Sequence, residues 1–137
     1  MLPTKGVHHL VLTVKDVVKS KEFYSNVCGM RVIADEKEYV GLSDGTFTLW
    51  IGEPRDYLPR EQTFDRNRTG LDHWAFRVET MEELKRIEET LRGLEIPIEE
   101  GDITDDDFGG TAIFTQDPDG MKVEFHLDKA PWESADS

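Results

Sequence analysis

HLVLTVKDVVKSKEFYSNVCGMRVIADE, His9 to Glu36, decides the fold once it is laid over HWAFRVETMEELKRIEETLRGLEIPIEE, His73 to Glu100. No gap is needed. His9 falls on His73, Val14 on Val78, Gly29 on Gly93, Val32 on Ile96 and Glu36 on Glu100, a constant offset of 64 residues in a chain of 137. Such an internal repeat dictates architecture, because each copy is one supersecondary unit. The chain therefore reads as two copies of one module.

Each copy begins with alternating strand residues, in which His9, Val11 and Thr13 share one face and Leu10, Leu12 and Val14 the other. A helix follows: Asp16 is a suitable N-cap, Val17, Ser20, Tyr24 and Val27 recur at helical spacing, and Gly29 stands where a left-handed C-cap is wanted. In the second copy Thr80 and Glu83 form a capping box, Met81, Leu84, Ile87 and Leu91 line one face, and Gly93 ends the helix. Three strands are predicted after each helix. In the first copy they are Arg31 to Asp35, Tyr39 to Leu42 and Thr46 to Ile51, with Ser43-Asp44-Gly45 turning into the last. In the second they are Glu95 to Glu99, Thr111 to Thr115 and Met121 to Leu127, with Asp117-Pro118-Asp119-Gly120 between the last two. Each module is thus βαβββ, and the fold class is α+β.

Length and composition suit a single soluble domain with one core, at 37% hydrophobic and 33% charged residues. Within it, module one spans about residues 6–53, a linker 54–70, module two 71–128 and a tail 129–137. No apolar run is long enough to cross a bilayer and the N-terminus lacks the charged-then-apolar pattern of a signal peptide. The single cysteine, Cys28, excludes an internal disulfide and fits a reducing compartment, so a cytoplasmic location is expected. A net charge of −13 repels phosphate backbones and anionic membranes, which argues against nucleic acid or a membrane as partner. Asp102 to Asp107, DITDDD, reads as a solvated loop.

Strand parity then sorts the polar residues. In the last strand Met121, Val123, Phe125 and Leu127 form the helix-covered face, leaving Lys122, Glu124 and His126 on the other. In the strand from His73, the residues Trp74, Phe76 and Val78 face the helix, and His73, Ala75 and Arg77 face away. The same logic puts His9 on the non-helix side and leaves His8 exposed or at an edge. His9, His73 and Glu124 accordingly share the concave face. Two imidazoles and a carboxylate suit a divalent first-row ion, and three protein ligands leave positions open for water or substrate. A carboxylate placed in a strand built for burial also calls for a cation, since burying it alone costs several kcal/mol.

At these residues the sequence resembles the vicinal oxygen chelate superfamily, which includes glyoxalase I, extradiol dioxygenases, fosfomycin-modifying transferases, methylmalonyl-CoA epimerase and bleomycin-resistance proteins. HLVLTVKDVVKSKEFYSNVCGM, LDHWAFRV and DPDGMKVEF carry the resemblance, which covers about Gly6 to Lys129. It implies a cupped, barrel-like mixed β-sheet of two βαβββ modules with helices outside, around a metal. It assigns the ligands to the first strand of each module and the last strand of the second, which are His9, His73 and Glu124 here. The implied cofactor is one divalent ion, Fe, Mn, Zn, Ni or Co, and the implied assembly is a homodimer, with the first ligand drawn from either chain.

Departures from the family pattern narrow the chemistry. Glyoxalase I adds a Glu or Gln ligand from the last strand of its first module, whereas Thr46, Thr48 and Trp50 stand there, or Phe47, Leu49 and Ile51 in the other register. Fosfomycin transferases carry a Thr two residues after the first histidine and a Tyr shortly before DPDG, where this chain has Val11 and Phe114. Neither activity is expected. The remaining expectation is a lyase, isomerase or dioxygenase-like metalloenzyme acting on a small substrate with adjacent oxygens. His126 is the candidate catalytic or supporting residue, Thr48, Trp50, Ala75 and Phe114 shape the pocket, and Arg77 or Arg68 meets an anionic substrate. The alternative is a binding protein of bleomycin-resistance type that sequesters a cationic drug without turnover.

Overall fold

The computed structural model describes residues 3–56, 63–105 and 109–128. The chain divides into two compact units, Met1–Gln62 and Thr63–Ser137. In the first, strand β1 is His9–Thr13, helix α1 is Val17–Glu22, β2 is Arg31–Asp35, β3 is Tyr39–Ser43 and β4 is Thr48–Gly52. Its sheet has the order β1-β4-β3-β2, with β1 parallel to β4 and the other neighbours antiparallel.

The local signals in this unit act as expected. Asp16 caps α1 by accepting from Lys19 N–H at 3.1 Å, and Gly29 takes φ 71°, a left-handed conformation that costs glycine least. Between them the helix widens into a π-helical turn, Phe23–Val27. Val17, Ser20, Tyr24 and Val27 are all buried, together with Phe23, which meets Tyr24 edge to face with ring centroids 5.0 Å apart. Facing α1 are Val40, Leu42, Leu49 and Ile51, each no more than 1% exposed. Burying an aliphatic side chain of this size is worth about 1.5–3 kcal/mol, so this face holds the unit together. Cys28, the single cysteine, is half-buried at the end of the turn. The turn before β4 is built on Asp44, whose Oδ1 accepts from Thr46 and Phe47 N–H at 2.7 and 3.1 Å.

The second unit repeats the topology. Strand β5 is His73–Val78, α2 is Met81–Gly93, β6 is Thr104–Asp105, β7 is Gly110–Gln116 and β8 is Lys122–Asp128, in the order β5-β8-β7-β6 with β5 parallel to β8. Thr80 accepts from Glu83 N–H at 3.1 Å, and the Glu83 carboxylate reaches back to Glu79 N–H at 3.2 Å. Leu84 and Leu91 are fully buried against the face bearing Val123 and Phe125. Met81, expected on that face, stands at the first position of the helix and is 40% exposed.

Two expectations fail here for identifiable reasons, while the helix end holds. Gly93 ends the helix as expected, and the left-handed conformation follows at Glu95 with φ 57°, where Glu95 and Ile96 N–H donate to the carbonyls of Arg92 and Leu91. Glu95 to Glu99 forms no strand. Pro97 offers the ladder no N–H, and the segment runs into a 3₁₀ turn, Glu99–Gly101, in which Glu100 has φ 59°. The fourth strand comes from the acidic stretch instead, where Thr104 and Asp105 pair with Ala112 and Thr111. Asp106, Asp107 and the tail 129–137 lie outside the described residues, as does the linker portion 57–62. No helix among the described residues is long and apolar enough to cross a membrane.

Candidate metal centre

Register turns strand parity into rows. On the face of the second sheet away from α2, Glu124 in β8 stands between Ala75 of β5 and Phe114 of β7. One step along, His126 stands between Arg77 and Ala112, and one step back Lys122 stands between His73 and Gln116. Glu124 is 7% exposed, so its charge is largely withdrawn from water and must be met by other groups.

Both of its oxygens meet imidazole nitrogens. His73 Nε2 is 3.0 Å from Oε1, and His126 Nδ1 is 2.8 Å from Oε2. Each histidine has a second acid behind it, Asp72 Oδ1 at 2.7 Å from His73 Nδ1 and Asp128 Oδ1 at 3.1 Å from His126 Nε2. Arg77 donates to the other Asp128 oxygen at 2.5 Å and so closes a line of six side chains. The hydrogen bond from His73, aided by the charges of His73, Arg66 and Lys122, holds the exposed Asp72 carboxyl below its ordinary pKa. Phe114 lies edge-on to His73, with ring centroids 6.1 Å apart, and Lys122 Nζ sits 4.5 Å from the centre of its ring.

The pair His73 and Glu124 fits a divalent ion. Two donors each about 2.1 Å from a common ion and at right angles to one another are about 3 Å apart, which is the separation of Nε2 and Oε1. The ring's other nitrogen is compatible with that fit. With Nδ1–H donated to Asp72, a neutral ring would aim its Nε2 lone pair at a carboxylate oxygen, and either an ion or a second ring proton between the two atoms reconciles them. Among the described residues, no three His, Cys, Asp or Glu side chains are gathered as a set able to hold an ion.

In the first unit His9 is exposed on the face shared with Val11 and Thr13, as parity requires. Its Nδ1 is 2.9 Å from Nδ1 of His8, whose ring stands edge-on to it at 5.1 Å. Trp50 lies next to Val11 on that face, and its indole covers Gly41, where an added Cβ would fall 2.6 Å from the ring. Val11, Tyr39, Trp50 and Arg55 border a cavity of about 570 Å³. Thr48 borders a second, of about 520 Å³, with Lys5 and His8. Thr46 belongs to the turn before β4 and not to the strand.

Of the residues singled out in the sequence, the structure brings together His73, Glu124, His126, Ala75, Phe114 and Arg77, and it places His9, Thr48 and Trp50 on one face of the first sheet. Arg68 lies in the segment before β5, where its N–H donates to Asp65 O at 3.1 Å. Sequence reasoning missed Asp72, Asp128 and Tyr39. Parity would have found Asp128 and Tyr39, while Asp72 carried only the signal of standing next to a proposed ligand.

The sequence matches the Glyoxalase/Bleomycin resistance protein/Dioxygenase superfamily over residues 6–125. The chain belongs to that superfamily. Within the superfamily it is 30% identical to the metallothiol transferase FosB of Lysinibacillus sphaericus over 130 residues, covering 91% of this chain and 84% of that protein. Its fold matches a glyoxylase/bleomycin resistance protein/dioxygenase domain from Frankia sp. EAN1pec with a TM-score of 0.77 at 24% identity, covering 93% and 94% of the two chains. It also matches the fosfomycin resistance protein FosX of Listeria monocytogenes with a TM-score of 0.70 at 22% identity, covering 93% and 96%.

Proposed function

We propose that this superfamily member is a metal-dependent enzyme of the vicinal oxygen chelate type, acting on a small substrate with two adjacent oxygens. The observation that carries the reading is the 3.0 Å approach of His73 Nε2 to Oε1 of a buried carboxylate, with the other imidazole nitrogen already committed to Asp72. His73 and Glu124 hold the ion, and His9 of this chain or of a second copy is the third ligand. A divalent ion at this place supplies Lewis-acid stabilisation of negative charge developing on a substrate oxygen.

The chain's own residues do the rest. His126, bonded to Glu124 Oε2 and backed by Asp128, fixes the plane of the carboxylate, which leaves Oε1 as the ligand atom. Ala75 leaves room beside that atom and Phe114 walls the other side. Trp50, Thr48 and Val11 supply an apolar and hydroxyl surface on the first module, and Arg77, across from His126, is a cation on the face that carries Glu124, as is Lys122 across from His73. The assembly in this reading is a homodimer.

Similarity to FosB favours a second reading, thiol transfer. Against it stand Val11 and Phe114: an apolar ring directly across from Glu124 offers no hydroxyl to a substrate oxygen. Metal analysis of protein purified without added metal, followed by titration of the stripped protein with Mn²⁺, tests the proposal. One ion per site in the wild type and its loss in His73→Ala support it, and a wild type that binds no divalent ion overturns it. A turnover screen of diketones, catechols and hemithioacetals, run beside thiol addition to an epoxide and calorimetry with cationic glycopeptides, then separates lyase or dioxygenase chemistry from transfer and from sequestration.

A further inference from the structure

The pair of adjacent histidines, His8 and His9, has a counterpart in Asp72 and His73. The 64-residue offset that maps His9 onto His73 also maps His8 onto Asp72. Each of these preceding residues meets its neighbour at the same atom: Asp72 Oδ1 lies 2.7 Å from Nδ1 of His73, and His8 Nδ1 lies 2.9 Å from Nδ1 of His9. His8 is itself anchored, because its carbonyl accepts from Thr48 N–H at 3.2 Å and continues the β1–β4 ladder by one residue. Two unlike side chains thus make one contact at one module position.

A neutral imidazole has a single N–H and a single lone pair, and only the lone pair binds a metal. An acceptor at Nδ1 puts the N–H there and leaves the lone pair on Nε2. Asp72 is such an acceptor, and His8 is one when its own proton is on Nε2. We propose that His8 and Asp72 are a matched pair of positioning residues, one in each module, that hold His9 and His73 in the Nδ1–H tautomer with Nε2 turned to the metal. The proposal rests on reading His9 and His73 as ligands. It also ranks the two: the Asp72 carboxylate strengthens its imidazole as a donor, whereas His8 orients its neighbour without adding charge.

Both residues are exposed, so substitution leaves the core intact. Stripped protein is titrated with Zn²⁺ as the probe, and ring-¹⁵N spectra record which nitrogen of each neutral histidine carries the proton. Asp72→Ala is expected to weaken Zn²⁺ binding about 10–100-fold and to move the His73 proton toward Nε2. Asp72→Asn, which keeps an acceptor oxygen, retains the tautomer and loses less affinity. His8→Ala is expected to shift the His9 tautomer with a smaller loss of affinity than Asp72→Ala. Wild-type affinity in both alanine variants, or an Nδ1 proton that stays in place without Asp72, overturns the inference. Should the wild type bind no Zn²⁺, the ligand reading falls, and the ¹⁵N spectra alone still decide whether these neighbours set the tautomers.

Discussion

The two modules share a strand order and a register, and they fill the same rows with opposite chemistry. In the second module the middle row is Ala75, Glu124, Phe114, and in the first it is Val11, Trp50, Gly41. The acid of one copy is a tryptophan in the other, and the ring that flanks the acid gives way to a glycine over which the tryptophan lies. The next row shows the same exchange: Arg77, His126, Ala112 against Thr13, Gly52, Tyr39. Bulk moves from the third strand to the fourth in one row and the reverse in the other, while in these rows the metal-type donors stand in the second module alone. A duplicated backbone therefore specifies where a side chain stands, and only the residue type decides whether that place is a ligand or a wall.

The largest expected effect breaks this contrast at the middle row. Glu124→Ala should lower Mn²⁺ affinity by more than about 100-fold, and Trp50→Ala should leave it within about twofold, both read by calorimetry. Comparable losses in the two variants would mean that the first module's tryptophan takes part in holding the ion. A smaller effect tests the close approaches. A Cβ on Gly110 would fall 2.5 Å from the His126 ring and 2.9 Å from Leu127 O, whereas on Gly41 its nearest neighbours are side-chain atoms of Trp50, from 2.6 Å. Gly110→Ala is expected to cost roughly 1–3 kcal/mol and Gly41→Ala about 1 kcal/mol in urea denaturation. Equal costs would show that Trp50 is as fixed as a backbone carbonyl. The smallest effect concerns the helix ends: Gly29 meets the left-handed turn in the first module, but Glu95 must adopt it in the second. Glu95→Gly should stabilise by roughly 0.5–1 kcal/mol and Gly29→Ala should destabilise by about 1 kcal/mol, measured in the same way.

Much of this was legible in the sequence because period-two and helical spacing are written locally. The repeat located both helices, and parity alone placed His9, His73 and Glu124 on the faces they occupy. What failed was decided by tertiary competition. Glu95 to Glu99 alternates as a strand does, yet Pro97 and the turn at Glu95 deny it a ladder, and two residues of the acidic stretch take the edge instead. In the site, Glu124 and His126 were legible from their strand, but the Asp72 and Asp128 contacts depend on side-chain angles that no spacing encodes.

The ring at Trp50 has an electrostatic consequence. A second carboxylate there would bring the proposed ligand set to two negative charges and make a divalent centre neutral. With two neutral imidazoles and Glu124 alone, the proposed centre would keep one unit of positive charge inside a protein whose sum is −13. Anionic oxygen ligands would then be attracted at contact range and repelled by the surrounding surface at long range, so raising the ionic strength should speed their capture.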